Sequence, residues 1–280
     1  MIQTSRQLKA LVRNLSKGDS ARAQIILRHY AMERFLERIA LSKHSNNLIL
    51  KGGTLVAAMV GLDNRSTMDL DATLKNTALT VESARRIIDE IVSIQIEDGI
   101  KFELMSVAPI MADADYLGVR AILDSTLETM HIPLKIDLST GDVITPREIT
   151  YSFKLLFEDR SFSILAYNLE TVLAEKLETL LSRGTANTRM RDFYDIYVLS
   201  LTQQHNIDSA VLRNAFNNTT KRRGSMAAVE DAESILHEIQ SSAEMVVLWK
   251  NYQRKFEYAT DVTWNELMMA VRQLCHLVMS

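Results

Sequence analysis

Leu48-Ile49-Leu50-Lys51-Gly52-Gly53-Thr54, followed shortly by Arg65-Ser66-Thr67-Met68-Asp69-Leu70-Asp71, decides how this chain is read. Leu48 to Leu50 is a short apolar run suited to a buried strand. The glycine pair follows at once, and Thr54-Leu55-Val56-Ala57-Ala58-Met59-Val60 reads as the start of a helix. Gly52 and Gly53 permit a tight turn and leave backbone amides unshielded at a helix N-terminus, where a phosphate is stabilised. After a loop over 61–66, Met68-Asp69-Leu70-Asp71 alternates in polarity as a strand does. Residues i and i+2 of a strand share a face, so Asp69 and Asp71 point the same way. Two neighbouring carboxylates repel, and a cation between them relieves the cost. Asp-x-Asp by itself is equally compatible with a solvated sheet edge. A strand, a Gly-Gly turn, a helix and a strand bearing Asp-x-Asp are together a candidate metal and phosphate site.

Working outward, Thr4 to Leu15 and Asp19 to His44 carry helical periodicity. In the second stretch Ile25, Ile26, Tyr30, Phe35, Leu36 and Ile39 define an apolar face. Arg22, Arg28, Arg34 and Arg38, with Glu33 and Glu37, read as its solvated side. Downstream, Thr80 is an N-cap for a helix over 81–93. Strands are expected over 101–107, 118–130 and 132–138, with a further pair over 149–157 and 161–165. His131 reads as a surface turn residue. Within the strand Ile132 to Leu138, Asp137 occupies one face while Ile136 and Leu138 point to the other. A third carboxylate on a neighbouring strand is what a two-metal site requires.

From Asn168 onward the pattern is helical. Leu169, Val172, Leu173, Leu177, Leu180 and Leu181 form an apolar arc, and Lys176 falls inside it. A lysine there must snorkel or meet an anion. Arg183-Gly184 marks the helix end. In Arg191-Asp192-Phe193-Tyr194-Asp195-Ile196, Asp192 projects to the apolar side and Asp195 lies one step round. Acids favour the first turn of a helix through its dipole, but that does not explain one facing the core. A pairing of Asp192 with Lys176 or Arg183 would satisfy all of them. Asn217 to Gly224 reads as a polar, basic loop, and helices follow over 226–241, 243–256 and 263–278. Trp249, Tyr252, Phe256 and Trp264 read as packing anchors.

Composition narrows the class. The chain has 280 residues, 47% of them hydrophobic and 24% charged, as in ordinary globular proteins. Its formal net charge of -3 argues against a binder driven by bulk attraction to nucleic acid. The single cysteine, Cys275, excludes an internal disulfide and suits a cytoplasmic setting. No apolar run is long enough to span a membrane, so no membrane partner is expected. A P-loop, a dinucleotide-binding glycine fingerprint, and the histidine and cysteine spacings of zinc sites are all missing from the sequence.

The ordered motifs resemble those of the AbiEii/AbiGii nucleotidyltransferase toxins, relatives of the polymerase-β-like nucleotidyltransferases. Leu50-Lys51-Gly52-Gly53-Thr54 with Asp69-Leu70-Asp71 is similar to the first motif of that family, and Lys135-Ile136-Asp137-Leu138 to the second. Glu175-Lys176-Leu177 with Arg183 is similar to the third, and Arg191-Asp192-Phe193-Tyr194-Asp195 to the fourth. The resemblance implies an α+β fold. In it, a polymerase-β-like mixed-sheet core with a helical N-terminal leader covers 1–165. An all-helical C-terminal domain over 166–280 contributes Lys and Asp to the site. It further implies two Mg²⁺ ions on Asp69, Asp71 and Asp137, with Asp69, Asp71, Lys176 and Asp192 as catalytic residues. Gly52, Gly53, Thr54, Arg65, Lys176, Arg183 and Asp195 are implied to bind the nucleoside triphosphate. Asp192 and Asp195 both suit the fourth-motif acid, and the helical arc favours Asp192.

The expectation that follows is a metal-dependent nucleotidyltransferase, the toxin of a bacterial toxin–antitoxin or phage-defence pair. It would move a nucleotide from a triphosphate to an RNA acceptor, tRNA in some relatives, and have a separately encoded antitoxin as partner. A non-catalytic triphosphate-binding module is a rival that would release no pyrophosphate. A small-molecule nucleotidylyltransferase is another, and it would need an accepting hydroxyl or amine on a small substrate.

Overall fold

A computed structural model describes residues 1–110 and 118–280. The chain forms two compact units. The first comprises Met1–Ala58, Ser66–Asp142 and Ile149–Ala166; the second comprises Met59–Arg65, Val143–Glu148 and Tyr167–Ser280. Together they give the α+β architecture expected from the sequence.

The first unit is built on one mixed seven-stranded sheet. Its strands are β1 (Leu48–Lys51), β2 (Asp69–Leu74), β3 (Ile100–Ile110), β4 (Gly118–Leu127), β5 (Met130–Thr140), β6 (Ile149–Lys154) and β7 (Ser161–Ala166). In the order β3-β4-β5-β2-β1-β7-β6, β2 is central. It runs antiparallel to β1 and parallel to β5. The alternation of β4 and β5 sets the faces: Val119, Ala121, Leu123, Ile132, Leu134, Ile136 and Leu138 are buried. Arg120, Lys135 and Asp137 take the other, half-buried face.

The helices of this unit are α1 (Ser5–Ser16), α2 (Ser20–Leu41), α3 (Gly52–Val60, its last two residues in the second unit) and α4 (Val81–Val92). Thr4 closes a capping box on α1, Asp19 caps α2 and Thr80 caps α4. Helix α4 buries Ala84, Ile87, Ile88 and Ile91, a spacing that lays one stripe on the core.

Helix α2 departs from the sequence expectation. Of the charges read as its solvated side, Arg22 and Arg28 are half-buried, but Glu33, Arg34, Glu37 and Arg38 are all buried. Each is matched by groups remote in sequence. Arg38 grips Asp98 through Nη1 and Nη2 at 2.8 and 2.9 Å and donates to the carbonyls of Arg34, Ile94 and Ile100. Glu33 accepts the Leu156 amide at 2.7 Å. Glu37 pairs with Arg34 and Arg160, and Arg160 also holds Glu158. Pairing and hydrogen bonds offset the burial of Glu33, Glu37 and Arg38, whereas Arg34 is offset by charge alone, 3.0 Å from Glu37 and 3.7 Å from Glu158.

The second unit is helical: α5 (Leu169–Arg183), α6 (Met190–Thr202), α7 (Ser209–Arg223), α8 (Met226–Glu230), α9 (Ala232–Ser241), α10 (Ala243–Lys255) and α11 (Trp264–Met279). Two expectations are corrected here. The segment read as a basic loop is the second half of α7, with Gly224 in the left-handed conformation as its cap. Asp208 caps its start through the Ala210 and Val211 amides. Lys221, Arg222 and Arg223 complement the dipole at its end, and Arg223 pairs with Glu175 and Glu178 of α5. The single helix expected over 226–241 is two, α8 and α9, broken at Asp231. Trp249 and Trp264 anchor the packing, their indoles donating to the carbonyls of Val262 and Gln240. Cys275 is buried in α11. Among the described residues no helix is long and apolar enough to cross a membrane.

Candidate active site

The turn between β1 and α3 sets the geometry. Gly52 has φ +65, and a Cβ built on it would run into the Asp71 carboxylate. Glycine is therefore required twice, for its dihedral and for the close approach of Asp71. The Gly53 amide donates to Asp71 Oδ2 at 3.3 Å. Thr54, expected to offer its hydroxyl to a phosphate, is fully buried. Its Oγ1 donates instead to the Asp69 carbonyl at 2.8 Å, tying the first turn of α3 to the start of β2.

Strand register brings the three predicted acids onto one face of the sheet. Asp71 stands directly beside Asp137 across the parallel β2–β5 pairing, and Asp69 beside Lys135. On the outer sides, Lys51 of β1 is opposite Asp71, and Arg120 of β4 is opposite Asp137. The row across four strands thus reads Lys51, Asp71, Asp137, Arg120. Lys135 Nζ lies 2.6 Å from Asp69 Oδ2. Arg120 Nε and Nη2 each donate to an Asp137 oxygen at 2.8 Å. Lys51 Nζ lies 2.6 Å from Oδ2 of Asp142, which also accepts from Ser139. Burial would raise the Asp142 carboxyl, but Lys51, Thr73 and Ser139 outweigh it and hold the pKa at about 2.

Sequence reasoning assigns no role to Lys51, Lys135, Arg120 or Asp142. Lys135 was legible, being two residues from Asp137 on the same face. Arg120 and Asp142 enter only through pairings that join separate parts of the chain.

The fit of this face to Mg²⁺ can be judged from its donors. Among the described residues no three acidic, histidine or cysteine side chains converge on a common point as they stand. The donor chemistry nevertheless suits a hard divalent cation: three carboxylates from two adjacent strands share one face. Positive charge already stands at their oxygens, in the form of Lys135 and Arg120.

The remaining predicted residues form a separate cluster in the helical unit. Lys176 of α5 pairs with Asp192 at 3.0 Å and with Asp195 at 2.5 Å, both on α6. Arg65 faces Asp195 from the other side, with Nε 2.5 Å from Oδ1. Arg189 supplies a second cation to Asp192 at 3.1 Å. Asp192 therefore takes Lys176 and Arg189, while Arg183 is exposed in the last turn of α5. Arg65, Asp192 and Asp195 are buried.

Burial alone would lower the Lys176 pKa, but Asp192 and Asp195 hold it above the ordinary lysine value. Burial would raise Asp195, yet Arg65 and Lys176 bring it down to about 2. Arg65 and Lys176 are thereby held protonated, and Asp192 and Asp195 ionised, at neutral pH. The Arg65 end is walled by aromatic rings: Tyr194 donates to the Asn64 carbonyl, and the Tyr252 and Tyr258 hydroxyls lie 3.0 Å apart.

Solved structures resemble this chain at low sequence identity. The nucleotidyltransferase toxin MenT4 of Mycobacterium tuberculosis H37Rv matches with a TM-score of 0.57 and 15% identity, over 96% of this chain and 98% of that one. The structure of JHP933 from Helicobacter pylori matches with a TM-score of 0.50 and 17% identity, over 91% of this chain and 94% of that one. These likenesses concern the fold. No curated protein matches the sequence. Residues 34–270 match the family model described as "Nucleotidyl transferase AbiEii toxin, Type IV TA system". By that match, which takes in every site residue discussed above, the chain belongs to the AbiEii nucleotidyltransferase toxins and is a nucleotidyltransferase.

Proposed function

We propose that this enzyme transfers a nucleotidyl group from a nucleoside triphosphate to an RNA acceptor, with tRNA as the leading candidate, in the cytoplasm. On this reading it is the toxin of a Type IV pair whose antitoxin is encoded separately. The observation that carries the reading is the side-by-side register of Asp71 and Asp137, with Asp69 on the same face.

Asp69, Asp71 and Asp137 are the residues that would hold two Mg²⁺ ions. Bound there, the metal supplies activation of the acceptor hydroxyl and neutralisation of the departing pyrophosphate. The acceptor oxygen forms a bond to the α-phosphorus and gives up its proton. The bond from that phosphorus to the bridging oxygen breaks, and pyrophosphate leaves with the electron pair. Gly52 lets the chain turn so that the Gly53 amide lies beside Asp71 at the start of α3. The dipole at that helix start favours phosphate. Lys176, kept charged by Asp192 and Asp195, is proposed to serve the triphosphate as a compact cation. Asp192 and Asp195 keep it oriented, and Arg65 holds Asp195.

The test is incubation with each α-labelled nucleoside triphosphate, Mg²⁺ and total RNA, wild type beside Asp71→Asn. Label in a discrete RNA band that the variant does not produce is the expected result, and the band names both base and acceptor. Label only in a small-molecule fraction would replace RNA with a small acceptor. Pyrophosphate release that persists undiminished in Asp71→Asn would overturn the assignment of the acids.

A further inference from the structure

The cations on the sheet face are placed unusually for structural ion pairs. Arg120 engages both oxygens of Asp137 in fork geometry, so each oxygen already accepts one N–H from a cation. Lys135 holds the Asp69 oxygen on the same face. Both basic side chains are accessible, Arg120 at 41% and Lys135 at 30%. The Lys135 contact is single and accessible, so it opens readily; the Arg120 fork is the stronger of the two, but its guanidinium stays open to solvent and to other anions. The acids themselves are anchored in the middle of the sheet on β2 and β5. The side chains free to move are therefore the cations. The Arg120 guanidinium is stabilised chiefly by its hydrogen bonds to Asp137, and it also feels Asp69 and Asp71.

We propose that Lys135 and Arg120 are exchangeable counter-cations of the acid row. They hold Asp69 and Asp137 in the unloaded enzyme, and on loading they turn to the phosphate oxygens of the triphosphate as the carboxylates pass to divalent metal. The inference rests on the assignment of Asp69, Asp71 and Asp137 to metal. A dication at Asp137 and the Arg120 guanidinium repel one another at close range, so the two compete for that carboxylate. A guanidinium that leaves a carboxylate finds its best alternative partner in a phosphate, which matches the same fork. Metal and triphosphate then bind with positive coupling, because each displaces the basic side chains from where the other needs them gone. Arg120 and Lys135 would thus set the order and selectivity of loading, admitting metal readily only in the company of a polyphosphate.

The experiment measures Mn²⁺ binding to the full chain by loss of the free-ion electron paramagnetic signal, without nucleotide. Wild type is compared with Arg120→Gln, Lys135→Gln and Asp71→Asn. The two cation variants are expected to bind Mn²⁺ about three- to tenfold more tightly than wild type, and Asp71→Asn to lose most binding. Affinity for the preformed Mn²⁺–tripolyphosphate complex should fall by a similar factor in both cation variants. A merely structural role for the pairs would leave Mn²⁺ affinity unchanged or weaken it, and that result overturns the inference while the metal assignment stands. If neither wild type nor any variant binds Mn²⁺, the metal assignment fails and the inference goes with it.

Discussion

Asp71 and Asp137 lie side by side across a parallel strand pair, two carboxylates in adjacent positions at the centre of the sheet. Such a pair is self-repelling, and Lys51 and Arg120 flank it at the neighbouring positions on β1 and β4. The turn at Gly52 carries the chain past the Asp71 carboxylate at a distance that leaves no room for a side chain.

Gly52→Ala therefore has to move either the backbone or Asp71. Its φ of +65 adds strain for any L side chain. The expected result is a loss of about 1–3 kcal/mol in stability and of nearly all transferase activity. Denaturant unfolding and the labelled-triphosphate assay read the two separately. Wild-type activity in this variant would remove the requirement for close approach.

Lys176→Ala leaves Asp192 and Asp195 buried with one cation fewer. Destabilisation of about 1–3 kcal/mol is expected, since both buried carboxylates lose a donor while Arg189 and Arg65 still face them. The double variant Lys176→Ala/Asp192→Asn should recover part of that stability while remaining inactive. Recovery of activity together with stability would show that Lys176 serves the fold alone. Urea unfolding curves and transfer assays on the single and double variants distinguish the outcomes.

Acid sensitivity follows from Asp142. Its folded pKa of about 2 lies below the ordinary carboxylate value, because Lys51, Thr73 and Ser139 outweigh the cost of burial. A depressed carboxylate gives stability that is fully present above the unfolded pKa of about 4 and is lost as pH falls through about 2. The contribution is about 2 kcal/mol at neutral pH. Asp142→Asn should lower stability at pH 7 and flatten its fall between about pH 4 and pH 2, measured by urea unfolding. Parallel curves for variant and wild type would refute the assignment.

Arg38→Met tests the interior of the first unit. It strands Asp98, which is wholly buried, and removes donors to three backbone carbonyls. A loss of about 3–5 kcal/mol is expected, with partial restoration in Arg38→Met/Asp98→Asn. Thermal unfolding of the three variants provides the check.

Much of this was legible because it is local. Gly52-Gly53 after an apolar triplet, and Asp69 and Asp71 on a two-residue period, carry their meaning within a few residues. Asp137 was legible for the same reason, and so was Lys176 within its apolar arc. What escaped depends on partners far along the chain. The charges of α2 looked solvated because Asp98, Leu156, Glu158 and Arg160, which face them, lie far along the chain. Thr54 looked ready for a phosphate, but β2 supplies the carbonyl that takes its hydroxyl. The run Asn217-Asn218-Thr219-Thr220 has the composition of a loop. It is helical because Thr219 and Thr220 are buried and the ends of α7 are capped.

The strand order also governs when, during synthesis, a chain of this kind becomes dangerous. β2 leaves the ribosome carrying Asp69 and Asp71, but its parallel neighbour β5, with Asp137, is made only after β3 and β4. β1, which bears the glycine turn, gains its second neighbour only when β7 pairs Ala166 with Leu50. Lys176 and Asp192 come later still. Domains generally fold as units during translation, so an interrupted chain carries part of the acid set on an unfinished sheet. An aborted product, whether truncated by a stalled ribosome or clipped before β5, lacks Asp137 and with it the paired carboxylates.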